Sequence, residues 1–198
     1  MSAYMQNRFT FLGIPKPGLK ELIKPFLKET ARLPLSWDTV FSLWDAEPRE
    51  AQYAALEYLQ KHRKQLVPED MDKLKSLIVT KSWWDTVDSL DAFVGDLILR
   101  DESLKSTVLR WASDENMWLR RVSIDCQQGH KQKTDAELLQ KVIVLNLSSR
   151  EFFINKAIGW SLREYGKTDP DFVTDFVMRH RDSMAALSIK EATRLIQK

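Results

Sequence analysis

Three short segments of the chain carry residue types that could act on a charged or aromatic ligand. The first is Lys81–Ser82–Trp83–Trp84–Asp85–Thr86–Val87–Asp88. On a helix, Trp84 and Asp88 are four apart and share a face, while Trp83 and Val87 fall on a neighbouring face suited to a core. An electron-rich indole favours a cationic centre, and a carboxylate stabilises positive charge as it develops. Taken alone, the commoner outcome for such a pair is a half-buried packing indole and a solvated acid, because a buried carboxylate needs a partner. The second segment is Met117–Trp118–Leu119–Arg120–Arg121–Val122. Leu119 and Val122 should point inward, so at least one arginine is expected to point outward or into a groove. An arginine fork matches phosphate with two parallel hydrogen bonds. A solvated pair, or an internal ion pair, is the commoner outcome for such residues. The third segment runs from Phe152 to Lys167. Phe153, Ala157 and Trp160 form one helical stripe, and Lys156, Gly159 and Arg163 form another. Gly159 inside a helix costs about 1 kcal/mol relative to alanine, which implies close approach of another helix or of a ligand.

Little else in the chain suggests chemistry. His62, His130 and His180 are scattered without metal-ligand spacing, and Cys126 stands alone. No Walker loop, dinucleotide fingerprint or nucleophile elbow is present. No metal and no cofactor are expected. A lone cysteine excludes an internal disulfide framework and points to a reducing, cytoplasmic setting, with Cys126 as a small buried apolar group.

The elements that must position these residues are helices. Leu19, Leu22, Ile23, Phe26 and Leu27 follow three-four spacing. So do Ala51, Ala54, Ala55, Tyr58 and Leu59; Leu74, Leu77 and Ile78; and Leu90, Phe93, Val94, Leu97 and Ile98. No alternating strand pattern is convincing. Ser36, Pro48, Pro68 and Asp169–Pro170 read as helix starts, and short breaks favour antiparallel neighbours. Ser113, Leu119, Arg121 and Val122 align with Ser148, Ile154, Lys156 and Ala157, and then with Ser183, Ile189, Glu191 and Ala192, at a constant step of 35 residues. One step back places Trp83 against Trp118 and Val87 against Val122. This is the period of helical-hairpin repeats of the HEAT kind. The expectation is a single all-α domain over residues 1–198, a HEAT-like helical-hairpin solenoid whose concave face is a groove for an extended ligand such as DNA or a protein helix.

With 43% hydrophobic and 29% charged residues, the composition is that of a folded globular chain, and no targeting segment or membrane span is visible. The net charge of +2 neither supports nor excludes a nucleic-acid partner, since charges can segregate between faces.

In conjunction, KSWWDTVD, WLRR and FFINKAIGWSLREYGKT closely resemble AlkD-type HEAT-like repeat alkylpurine DNA glycosylases. YMQNRFTFLGI and LWDAEPREAQYAALEYLQK extend the resemblance over nearly the whole chain. It implies hydrolysis of the N-glycosidic bond of cationic purines such as 3-methyladenine and 7-methylguanine in double-stranded DNA, by a monomer without metal or cofactor. It also implies that Trp84 and Trp160 wall the cleft, that Asp88 is the catalytic carboxylate, that Arg121 holds a phosphate, and that Tyr4 is a further aromatic of the cleft. Lys156 and Arg163 are expected to contact DNA as well. Family members usually carry additional helical sequence ahead of the segment matching YMQNRF, so a short front end is expected to weaken excision. The alternatives are a divergent paralogue that binds DNA weakly through the same face without excision, and a HEAT-type scaffold for another protein.

Overall fold

The computed structural model describes residues 1–195 and contains, among them, eleven α-helices and no strand. Two compact units are formed, Met1–Val67 and Pro68–Lys198.

In the first unit, α1 (Lys16–Thr30) and α2 (Trp37–Asp45) each pack on α3 (Arg49–His62). Ser36 caps α2 by accepting the Thr39 N–H, as its position predicts. Pro48 is the residue just before α3 rather than its first, and its extended backbone delivers the chain into the helix. Ala54, Ala55, Tyr58 and Leu59 are buried, as their spacing requires. The stripe of α1 behaves differently. Leu19 is buried, but Leu22 is 65% and Phe26 36% exposed. The apolar stripe is wider than the contact that α3 offers, and Phe26 stacks on the Tyr58 ring with centroids 5.5 Å apart.

The segment before α1 is fastened chiefly by Glu50. Glu50 is 1% exposed. Its carboxylate accepts the backbone N–H groups of Leu12, Gly13 and Ile14 at 3.0, 2.9 and 3.1 Å. Beside it, the buried Arg49 guanidinium lies 3.8 Å from the Phe9 ring centroid. Tyr4 is on a short 3-10 turn, Ala3–Met5, and is 73% exposed.

The second unit is a two-layer stack. The helices α5 (Trp84–Arg100), α7 (Met117–Asp125), α9 (Phe152–Tyr165) and α11 (Ala186–Ala192) pack side by side in that order. They are backed by α4 (Met71–Val79), α6 (Lys105–Trp111), α8 (Ala136–Val144) and α10 (Pro170–His180). The 35-residue period appears in space as an aromatic cluster. Trp83, Trp118 and Phe153, at or beside the starts of α5, α7 and α9, pack on one another, with ring centroids 5.8 Å (Trp83–Trp118), 5.1 Å (Trp118–Phe153) and 5.1 Å (Trp83–Phe153) apart. Asp135 and Asp169 cap α8 and α10. The α5–α7 approach is so close that a Cβ on Gly95 would stand 2.0 Å from the Cys126 carbonyl oxygen, which only glycine permits. Cys126 itself is buried, and burial pushes its thiol far above the ordinary range.

Replacing Glu50 by alanine takes the shared acceptor from three partly exposed N–H groups. The expected loss of stability is about 1–3 kcal/mol, read by urea unfolding, with earlier proteolytic cleavage ahead of α1. Wild-type stability in the variant would contradict this account.

Candidate active site

The site is built around Arg121. Its position on α7, flanked by Leu119 and Val122, carries it into the layer between α5 and α9, and it is 2% exposed. Of the arginine pair, Arg121 takes the internal ion pair that is the commoner outcome for such residues, while the half-exposed Arg120 lies on the other side and donates to the carbonyls of Asp114 and Glu115. The spacing identified the inward face of α7 but could not show that acids wait behind it.

The Arg121 fork is fully used. Nε donates to Asp88 Oδ1 at 2.7 Å and Nη2 to Asp88 Oδ2 at 2.8 Å, the bidentate arrangement that suits a planar guanidinium. Nη1 donates to the Phe153 carbonyl at 2.7 Å. Asp125, one turn along α7, places Oδ2 3.5 Å from Nη2. Burial disfavours the Arg121 charge, but Asp125 and Asp88 outweigh it and hold the guanidinium above its ordinary pKa. Asp88 is the outer member, with 24% of its side chain exposed. Trp84 lies one turn before Asp88 on α5, half-buried. The Trp160 ring centroid lies 5.6 Å from the Arg121 guanidinium and 5.2 Å from Lys156 Nζ.

Two acids that sequence reading passed over complete the cluster. Asp88, Asp91 and Asp125 each bring a carboxylate oxygen within 4.8 Å of the others. Such a trio could in principle hold a cation, but Arg121 already stands among them as the counter-ion. Asp91 has no such fork. Burial, and then the charges of Asp125 and Asp88, push it well above the ordinary carboxylate range. Burial also raises Asp125, against the opposing pull of Arg121 and of hydrogen bonds from Ser161 and Gln128. The signal for both acids was helical spacing. Asp91 is three residues from Asp88 and Asp125 four from Arg121, so each pair shares a face.

The remaining expected residues form a second ionic node. Lys156 and Arg163, on one stripe of α9, both donate to Glu191 of α11. These contacts hold the Glu191 pKa below its usual value, the Lys156 hydrogen bond being the largest cause. Gly159 sits between them because a Cβ there would stand 2.5 Å from Glu191 Cβ and 3.0 Å from the Ser188 carbonyl oxygen. The close partner of Gly159 is thus a helix. Tyr4 belongs to the first unit.

Asp91 keeps its proton in the folded chain at pH values where an unfolded aspartate has lost it. Folding then takes up a proton, so stability falls as pH rises from about 4 towards the raised folded value. Asp91→Asn removes this titration. Its Tm is expected to exceed the wild-type Tm near neutrality, by a margin that closes as pH approaches about 4. A margin that does not change with pH would show that Asp91 is not held neutral.

Comparison with known proteins fits this layout. A comparison with curated proteins gives no match. Among solved structures, one described as a predicted DNA alkylation repair enzyme from Enterococcus faecalis superposes with a TM-score of 0.92 at 33% identity, covering 100% of this chain and 93% of that one. No helix among the described residues is long and apolar enough to cross a membrane. The family model described as DNA alkylation repair enzyme matches residues 1–196, and the chain belongs to that family.

Proposed function

We propose that this chain is a monofunctional DNA glycosylase that removes cationic alkylated purines from double-stranded DNA. The observation that carries the reading is the Asp88 carboxylate, held rigidly by the Arg121 fork yet still partly exposed, with Trp84 on its own helix and Trp160 against the guanidinium. An alkylated purine is positively charged and leaves readily. Its departure creates an oxocarbenium-like sugar, and a fixed carboxylate stabilises that charge without reorganising. Asp88 can also accept a proton from the attacking water. In this reading the electron-rich Trp84 and Trp160 faces hold the cationic nucleotide, each contributing about 0.5–2 kcal/mol. Arg121 acts mainly by aiming Asp88. Tyr4 remains a proposed further aromatic contact to DNA. The protein is proposed to work as a monomer, in the cytoplasm, on DNA alone.

A second reading, binding of DNA without excision, is favoured by the second ionic node. Lys156 and Arg163 are engaged by Glu191, and phosphate contacts supply much of the affinity of any DNA-binding protein. In both readings, Lys156 and Arg163 meet DNA only by exchanging Glu191 for a phosphate.

The deciding measurement is release of 7-methylguanine from methylated duplex under single-turnover conditions. The wild type is expected to release it, and Asp88→Asn to lose at least about 100-fold in rate, the scale of an electrostatic catalytic group. No release by folded wild type at large enzyme excess would favour the non-excising reading. Separately, Glu191→Gln is expected to bind undamaged duplex more tightly. Its log-affinity should fall more steeply with log salt, by about one to two units of slope. An unchanged slope would remove Lys156 and Arg163 from the DNA contact.

A further inference from the structure

We propose that Asp125 is a positioning residue of this site: it shares the buried Arg121 guanidinium with Asp88, and so leaves the Asp88 side a net negative charge facing a cation. This inference rests on the glycosylase reading.

Asp125 cannot touch substrate, because it is 2% exposed. It is nevertheless one of the most firmly held carboxylates in the unit. Oδ1 accepts the Ser161 hydroxyl at 2.8 Å and the Gln128 side-chain amide at 2.7 Å. Oδ2 is thereby turned towards Arg121 Nη2. The hydroxyl comes from α9, and the amide from the turn after α7. The position of Asp125 is thus set by groups that do not themselves reach Asp88.

Charge counting gives the consequence. Arg121 with Asp88 alone is a neutral pair, and a neutral pair does little for a cation approaching from the exposed side. Asp91 adds nothing while it keeps its proton. Asp125, whose charged form is favoured by Arg121 at 3.5 Å and by the two hydrogen bonds to Oδ1, supplies one further negative charge that Asp91 does not, so the cluster as a whole is negative. It does this at the Nη2 that also serves Asp88, from 3.5 Å against 2.8 Å, so Asp88 keeps both arms of its fork. In a partly buried site, one unit charge a few ångströms away is worth about 10- to 100-fold in stabilising a positive centre.

Asp125→Asn keeps the size and the acceptor oxygen and removes only the charge. The full-length protein would be tested on two duplexes, one with a cationic pyrrolidine in place of the sugar and one with a neutral tetrahydrofuran. It would also be tested for release of 7-methylguanine. The wild type is expected to prefer the pyrrolidine duplex. Asp125→Asn is expected to lose about 10- to 100-fold of that preference and a similar factor of the release rate. Tm is expected to fall, since the buried Arg121 loses a charged partner, but affinity of the folded variant for the tetrahydrofuran duplex should stay near wild type. A purely structural role would instead weaken both duplexes together. If the wild type shows the preference and Asp125→Asn keeps it, this inference fails and the glycosylase reading stands. If the wild type shows neither preference nor release, the glycosylase reading fails and takes this inference with it. Should Asp125→Asn not fold, Asp125→Ser serves instead, since it also removes the charge and keeps an acceptor oxygen. The same loss of about 10- to 100-fold in pyrrolidine preference is then expected, and an unchanged preference overturns the proposal.

Discussion

A guanidinium with 2% of its surface in water must meet acceptors on every side, and the arrangement of α5, α7 and α9 is the solution to that demand for Arg121. Leaving such an ion short of partners costs several kcal/mol, while a well-built set of partners roughly offsets the cost. The fork fixes Asp88 in its own plane. Nη1 takes the Phe153 carbonyl at the start of α9. Asp125 sits behind on the same helix. One residue therefore sets the distance between three helices and aims the carboxylate that reaches solvent. Arg121 is less a ligand for something outside than the part that makes the outer face definite.

The same repeat position is reused with different chemistry one step along. Arg121 and Lys156 are equivalent, and Glu191 follows after another step. Arg121 reaches back to an acid on the preceding inner helix, whereas Lys156 reaches forward to an acid on the next. Both pairs are largely shielded from water, so salt screens them less than surface pairs. The inner layer is thus joined by ions at one register and by aromatic rings at another. Glycines admit the close approaches, α5 to α7 at Gly95 and α9 to α11 at Gly159.

Periodicity and capping residues made much of both units legible. The faces of α4 and α5, the caps at Ser36 and Asp169, and the 35-residue repeat are local properties of the chain, and the structure contains them. Resemblance of whole segments pointed to the family. What was not legible was always a matter of what stands opposite. Spacing placed Arg121 beside inward residues but could not reveal Asp88 across the gap. It made Lys156 and Arg163 candidates without showing Glu191 on α11. It gave α1 a broad apolar stripe that α3 covers only in part. Asp125 lies between Ile124 and Cys126, in a run that reads as core, and its charge makes sense only when Arg121 is in view.

The aromatic cluster also bears on how such a chain can change in length. Trp83, Trp118 and Phe153 meet because each stands at or beside the start of the same helix in successive repeats. One residue inserted in α7 ahead of Arg121 would turn everything beyond it by about 100° on the helix and move Arg121 off Asp88. A whole repeat inserted among them would part rings that now touch in all three pairings. Change in length is therefore easiest in the turns, and the places of Trp84, Arg121 and Trp160 within their own helices are held by packing before any selection for activity acts on them.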